Sequence, residues 1–303
     1  MRKQQRLLTA LLLACLVTLP RLAAQDSPAA AKKALLWKAT SGNNSLYLLG
    51  SIHVGSKDMY PLAKEIENAY AASKTLIVEV DLNKVDMQKL TMLMMSKGMY
   101  QGEDSLWDHV SPETRKKVEA FCEKYQLPVA GFARMKPWVV AITAATIPAM
   151  KAGMDPNLGV DKYFLDKAKN SDPKKDVAEI ESAEWQLDLL SGFSDALQAK
   201  FLDASIDQAN KSLEHAKEIQ EIWLSGDAAR LEAAMKEDSG PPEITKALLQ
   251  DRNPHMADIA EQYLKGKDPA FFVVGAAHLV GKDGVVAALE KRGYKVQQVP
   301  LGK

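Results

Sequence analysis

Cysteine is nearly absent from the chain, with two in 303 residues, Cys15 and Cys122. Cys15 falls in an N-terminal segment expected to be removed, so Cys122 has no intramolecular partner and no disulfide staples the fold. Net charge is absent as well: 39 Lys and Arg balance 39 Asp and Glu. That balance argues against a nucleic-acid binder working through a broad basic surface. Beyond the N-terminus no apolar run is long enough to span a bilayer, and no period of about 20–50 residues marks a solenoid. Histidine is scarce, at five residues, so two of them in matching contexts carry information. What is present is the composition of a folded protein, 47% apolar and 26% charged.

The first 24 residues read as a secretory signal peptide. Arg2, Lys3 and Arg6 precede the 13-residue apolar run LLTALLLACLVTL, and Ala23 and Ala24 follow it. This order places cleavage after Ala24. Leu12-Leu13-Ala14-Cys15 also reads like a lipoprotein cleavage box that would leave Cys15 lipidated, but the apolar LVTL directly after it is a poor start for a mature lipoprotein. The mature chain is expected in the periplasm or secreted, with residues 25–33 a mobile polar leader and residues 34–303 a single domain. Cys122, on the helical pattern VEAFCEKY, is expected to be a half-buried structural cysteine rather than a nucleophile.

LLWKAT (35–40) and SLYLLG (45–50) read as a hairpin, with Asn43 and Asn44 supplying the turn. A helix over 61–73 puts Leu62, Ile66 and Tyr70 on one face, and TLIVEV (75–80) is a buried strand. From about 83 to 250 the pattern is almost wholly helical, with one short strand candidate at 174–180. Ser111-Pro112 and Lys136-Pro137-Trp138 are helix starts. The run MLMMSKGM, with Met87 ahead of it, invites a peptide-groove or metal-trafficking reading, but Met87, Leu90 and Met94 have the spacing of an ordinary buried helix face. The tail returns to alternating texture: strand AFFVVGA, helix DGVVAALEKRG, strand YKVQQV. The implied fold class is α/β (α+β): a small mixed sheet built from the N- and C-terminal segments, with a large helical insertion between them.

YLLGSIHVG (47–55) and FFVVGAAHLVG (271–281) share one design: an apolar run, then Gly-x-x-His. Each histidine, His53 and His278, lies just beyond the carboxyl end of a predicted core strand, the edge at which open α/β sheets bind ligands. Two imidazoles on one rim would suit a divalent transition metal. Glu79 interrupts the apolar LIVEVD, with Asp81 two residues on and predicted on the same face of the strand. A buried acid is costly unless paired or cation-bound. Two histidines and a carboxylate compose a hydrolytic metal site, and equally the ligand set of non-haem iron oxygenases. His109, His215 and His255 read as surface or capping residues, with His255 near enough to Arg252 to reach the site.

GSIH, LIVEVD, KPWVVA, GVDKYFLDKA, EIESAEWQ, DRNPHMA and VVGAAHLVGKDGVVAALEKRGYKV occur in that order, and together they resemble the TraB/GumN family, which takes in PrgY-like proteins and the Tiki metalloproteases. The resemblance covers roughly residues 35–300 and implies a metal-dependent hydrolase, with protease activity in the Tiki branch. Matched by position, Gly50 and His53 form the first motif and Gly275 and His278 the second. Glu79 is the acid between them, Arg252-Asn253 an Arg-Asn pair before a helix, and Gly159, Asp161, Glu181 and Gln186 lie in the middle segment. Ile180-Glu181-Ser182 stands where the family usually has Leu-Glu-Thr.

His53 and His278 are thus expected to bind a divalent metal (Mn, Co, Fe or Zn), with Glu79 as ligand or as base. Arg252 would hold a substrate carboxylate or the oxyanion, or else pair with a nearby acid. Asn253 could act at the site or cap the helix at Pro254. Asp161 and Glu181 would orient the site or pair with lysines, the second being expected for Asp161. The expected partner is a peptide or small-molecule substrate; the rival readings are an ester hydrolase and a non-catalytic binder of a peptide or haem-like ligand.

Overall fold

The computed structural model describes residues 33–210, 213–237 and 240–302. The expected signal peptide, Cys15 and residues 25–32 of the leader lie outside them.

Two strands open the described chain, β1 (Lys33–Ser41) and β2 (Asn44–Ser51), paired antiparallel from Leu36–Leu49 to Ser41–Asn44. The turn itself is Gly42-Asn43, with Gly42 at φ 55. Asn44 is therefore not a turn residue as expected. It belongs to β2, where its buried amide donates to the Tyr263, Leu264 and Gly266 carbonyls. Those carbonyls lie in the last turn of a later helix and just beyond it.

Helix α1 (Lys64–Ala72) buries Ile66, Ala69 and Tyr70, and strand β3 (Thr75–Val78) follows. The middle of the chain is helical, as its pattern predicts: α2 (Met87–Gly98), α3 (Pro112–Tyr125), α4 (Pro137–Lys151) and α5 (Val160–Asn170). Strand β4 (Asp176–Glu179) interrupts the run before α6 (Ala183–Ser191), α7 (Asp195–Asn210), α8 (Leu213–Ser225) and α9 (Ala228–Glu237). Then come the short α10 (Pro242–Thr245), α11 (Asn253–Leu264), β5 (Ala270–Gly275), α12 (Val285–Lys291) and β6 (Lys295–Pro300). The helix starts have identifiable chemistry. Ser111 accepts from the Thr114 N–H ahead of Pro112 in α3, and Ser182 accepts from the Trp185 N–H at α6. The serine that replaces the family's threonine thus keeps a capping hydroxyl.

The six strands lie in the order β4-β3-β5-β2-β1-β6. Strands β4, β3, β5 and β2 are mutually parallel; β1 is antiparallel to both β2 and β6. The sheet is mixed and drawn mainly from the chain ends, as expected, with β4 added from the helical middle. Strand β5 is buried along its whole length, as a central parallel strand covered on both faces must be. The core around the sheet includes Leu46, Leu48, Ile77, Phe164, Phe271 and Phe272. A second apolar cluster joins α3, α4 and α7 through Phe121, Val140, Ala144 and Leu202. Cys122 is wholly buried there, more deeply than its half-buried expectation, and burial together with the charge of Glu119 pushes its thiol up. Among the described residues no helix is long and apolar enough to cross a membrane.

Candidate functional site

The parallel register decides where the chemistry gathers. Ser51 pairs with Gly275, Val78 with Val273, and Val78 with Glu179. Four strands therefore end at one rim, and β5 stands between β3 and β2. His53 follows β2, Glu79 follows β3, and His278 follows β5. Their meeting point is Gly275. A Cβ built there would lie 3.3 Å from Glu79 Oε1, 3.4 Å from His53 Nε2 and 3.6 Å from His278 Cδ2. The missing side chain leaves that cradle open. Trp223 of α8 fixes the rim from behind, its Nε1 donating to the Gly50 carbonyl at 2.6 Å.

Each imidazole has its Nδ1 engaged by a neighbour. Asn253 donates its amide to the Asp283 carbonyl, so its Oδ1 must accept, and His278 Nδ1 donates to it at 2.6 Å. Asn253 is therefore an orienting residue rather than a helix cap: its side chain makes no cap bond in α11. His53 Nδ1 donates to Asp161 Oδ1 at 3.1 Å. Asp161 is held in turn by Ser51, whose hydroxyl donates to Oδ1 and accepts from the Asp161 N–H. The lysine-paired surface role expected for Asp161 does not occur, because the start of α5 packs onto the His53 loop. Val160 N–H donates to the Ile52 carbonyl, and a Cβ at Gly159 would stand 2.6 Å from the His53 carbonyl oxygen.

The acids and the arginine form one network. Glu79 Oε1 accepts the Gly275 N–H at 2.5 Å, and its Oε2 accepts from Arg252 at 2.8 Å. Arg252 makes a two-pronged pair with Glu181, at 2.9 and 2.7 Å, and donates to the Leu248 carbonyl. Gln186 donates to Glu181 at 2.9 Å and reaches Glu79 at 3.4 Å. All three charged side chains are buried, with Arg252 and Glu79 about a tenth exposed. Arg252 is thus the acid-paired arginine of the two expectations. Asp81 departs: the strand ends at Val78, so the alternation that put it beside Glu79 stops, and it pairs with Lys84. His255 is exposed and borders a separate cavity of ≈ 390 Å³ with Arg252, Glu181 and Trp185.

The two histidines have opposite electrostatics. Burial pulls His278 down to about 4, against the charge of Glu79. The crowding of protein around His53 also works against its charged form. The Asp161 bond and charge, with Glu79 behind, outweigh that and raise His53 to about 9. Its ring is surrounded yet lines a cavity, which leaves 64% of the side chain open. Burial works against the Glu79 carboxylate too, but the histidines, the Gly275 N–H and Arg252 hold it below the usual range. Glu79, His53, Ser51 and Asp161 line a cavity of ≈ 170 Å³; His278 stands behind Glu79, its Nε2 3.9 Å from Oε1.

The donor chemistry fits a divalent cation. Both imidazoles commit Nδ1 to a neighbour and leave Nε2 facing the cradle, as metal-binding histidines do when a hydrogen bond holds their other ring nitrogen. The spacing is open, however: among the described residues no group of three or more His, Cys, Asp or Glu stands close enough to hold an ion.

Sequence reasoning missed Ser51, although it lies inside the first Gly-x-x-His, and Trp223, which no local pattern singles out. The TraB/PrgY/gumN family model matches residues 35–298. The chain is 25% identical over 244 residues to the uncharacterized protein YbaP of Escherichia coli strain K12, covering 80% of this chain and 86% of that one. The YbaP protein of Shigella flexneri matches to the same extent. No solved structure matches the chain.

Proposed function

The chain belongs to the TraB/PrgY/gumN family, and on that premise we propose that it is a metal-dependent hydrolase, foremost a peptidase, acting outside the cytoplasmic membrane. The supporting observation is the convergence of His53, Glu79 and His278 around Gly275, with both Nδ1 atoms already committed to neighbours. His53 and His278 would hold the metal through Nε2. When bound, a divalent cation supplies Lewis acidity and a water that ionises near neutral pH.

The remaining work falls to the chain itself. Glu79 is ionised, and Oε1 is the atom placed to take a proton from the attacking water. Arg252 holds Oε2, so the carboxylate cannot rotate away from the cradle. Asn253 and Asp161 keep the imidazoles aimed, and Glu181 with Gln186 holds Arg252 and Glu79 in turn. The cavity that His53 and Glu79 line gives a scissile carbonyl access to them. The N-terminal segment that reads as a signal peptide is the ground for proposing that this activity lies outside the cytoplasm.

The test is metal analysis of purified protein together with digestion of a mixed peptide library. Wild type is expected to carry one divalent metal and to cleave peptides; His53→Ala and His278→Ala are expected to lose both. Stoichiometric metal that survives in both variants refutes the site. Intact peptides retained on the protein would favour the binding-protein reading instead.

A further inference from the structure

Helix α2 does not do what its sequence predicts. Its apolar side chains read as a buried face, yet Gly98 is its only fully buried residue. Met87 and Met95 are 66% and 63% exposed. The reason is spatial. Helix α2 lies over α4 and α6 without closing on them, and leaves an open-sided groove of ≈ 570 Å³ floored by Met94, Trp138 and Leu187. A soluble surface seldom leaves apolar side chains grouped in this way without a ligand for them, and the volume is that of a ligand site.

The groove runs into the candidate site. Val80, Leu82 and Gln186 line both it and the cavity that holds His53 and Glu79. Gln186 also bonds Glu79 and Glu181 from α6, so one helix carries the groove wall and a support of the site. We propose that the groove receives an apolar segment of a peptide substrate, beside the bond that is cut. This deepens the hydrolase reading and rests on it.

Three features select this occupant. Methionine side chains are flexible and polarizable, and such a wall adapts to varied apolar side chains rather than to one shape. The rim carries cancelling charges, Lys89 with Glu184 at 2.9 Å and Lys97 with Asp188 at 2.6 Å. A neutral rim around an apolar floor suits a peptide better than the carboxylate or phosphate head of a lipid. The same exposed ion pairs tie α2 to α6, and pairs of that kind hold weakly. Helix α2 can therefore yield to a bound chain, while its end is fixed where Gly98 packs on Val139 and Trp138.

The experiment compares fluorescein-labelled Gly-Ser-Leu-Leu-Ser-Gly with its all-serine counterpart Gly-Ser-Ser-Ser-Ser-Gly, by fluorescence anisotropy on metal-loaded protein. The leucine peptide is expected to bind at least about tenfold more tightly, from partial burial of its side chains. Leu90→Glu is expected to remove that preference; should it fail to fold by circular dichroism, Met95→Glu at an exposed position takes its place. His53→Ala is expected to keep the preference and lose cleavage. Equal binding of the two peptides, a preference untouched by the groove variants, or displacement by lauric acid at lower concentration than by unlabelled leucine peptide would overturn the proposal. Preferential binding without any cleavage by wild type overturns the hydrolase reading and leaves the groove assignment standing.

Discussion

Replacing Gly275 by alanine adds one methyl group where the candidate site converges. Gly275 has φ −47 and ψ 133, a conformation open to any L residue, so no left-handed strain is introduced. The added carbon would meet His278 Cδ2 at 3.6 Å, an ordinary contact, and Glu79 Oε1 and His53 Nε2 at 3.3 and 3.4 Å. The last two need side-chain shifts of only a few tenths of an ångström. Backbone donation from residue 275 to Glu79 survives, since alanine keeps its N–H. The expected loss of folding stability is within about 1 kcal/mol, the lower end for a small overpacking. Occupancy of the cradle responds differently. A divalent ion stands about 2 Å from its imidazole donors, and a methyl group touching His53, His278 and Glu79 takes the volume that the ion and its water need. Metal affinity is expected to fall at least about a hundredfold, ~2.7 kcal/mol. The assay is isothermal titration with Mn²⁺ and Zn²⁺ into chelator-treated protein, beside urea unfolding of the same samples. A Gly275→Ala protein that unfolds like wild type and takes up metal with unchanged affinity would place the cation elsewhere and refute the reasoning.

Arg252→Met removes the shared partner of two buried carboxylates, Glu79 and Glu181. Urea unfolding is expected to show a loss of ~3–5 kcal/mol, and a loss under about 1 kcal/mol would show that the network is hydrated or rearranges freely. Tyr60 and Tyr70 are each pushed up to about 12, by burial first and then by the charges of Asp161 and Glu67 respectively. The unfolded chain ionises these phenols near pH 10 and so binds fewer protons than the native state between about pH 10 and 12. Native stability should therefore fall as pH rises through that window. Phenolate absorbance should rise with loss of circular dichroism; smooth ionisation of both rings near pH 10 in folded protein would contradict the assignment.

Periodicity and punctuation in the chain marked nearly every element. Ser-Pro and Lys-Pro starts, the apolar runs and the glycine stops are local chemistry, and β1, β2, α3, α4 and β5 fall where that chemistry puts them. The misreadings arose where a side chain answers to a distant partner. Asn44 looks like a turn residue until a helix end 219 residues away supplies the carbonyls its amide takes. Asp161 looks like a solvated acid until α5 lands on the His53 loop. The Met87–Met94 face has the spacing of a core helix, and spacing cannot tell whether a neighbour closes over it.

The candidate site divides in the same way. The paired Gly-x-x-His turns and the acid ending LIVE were legible because a glycine and a histidine just past a buried strand are a departure from local expectation. Which way those groups face was not legible. That followed from the strand order, which sets β5 between β3 and β2, and from Asn253, Asp161 and Arg252, which hold the three side chains in place. Sequence alone determined the strands, the helices and the chemical groups at their ends, because these depend on neighbours along the chain. Only tertiary structure decided that the groups meet around Gly275 and that α2 leaves a groove beside them, because both depend on long-range packing that no local pattern encodes.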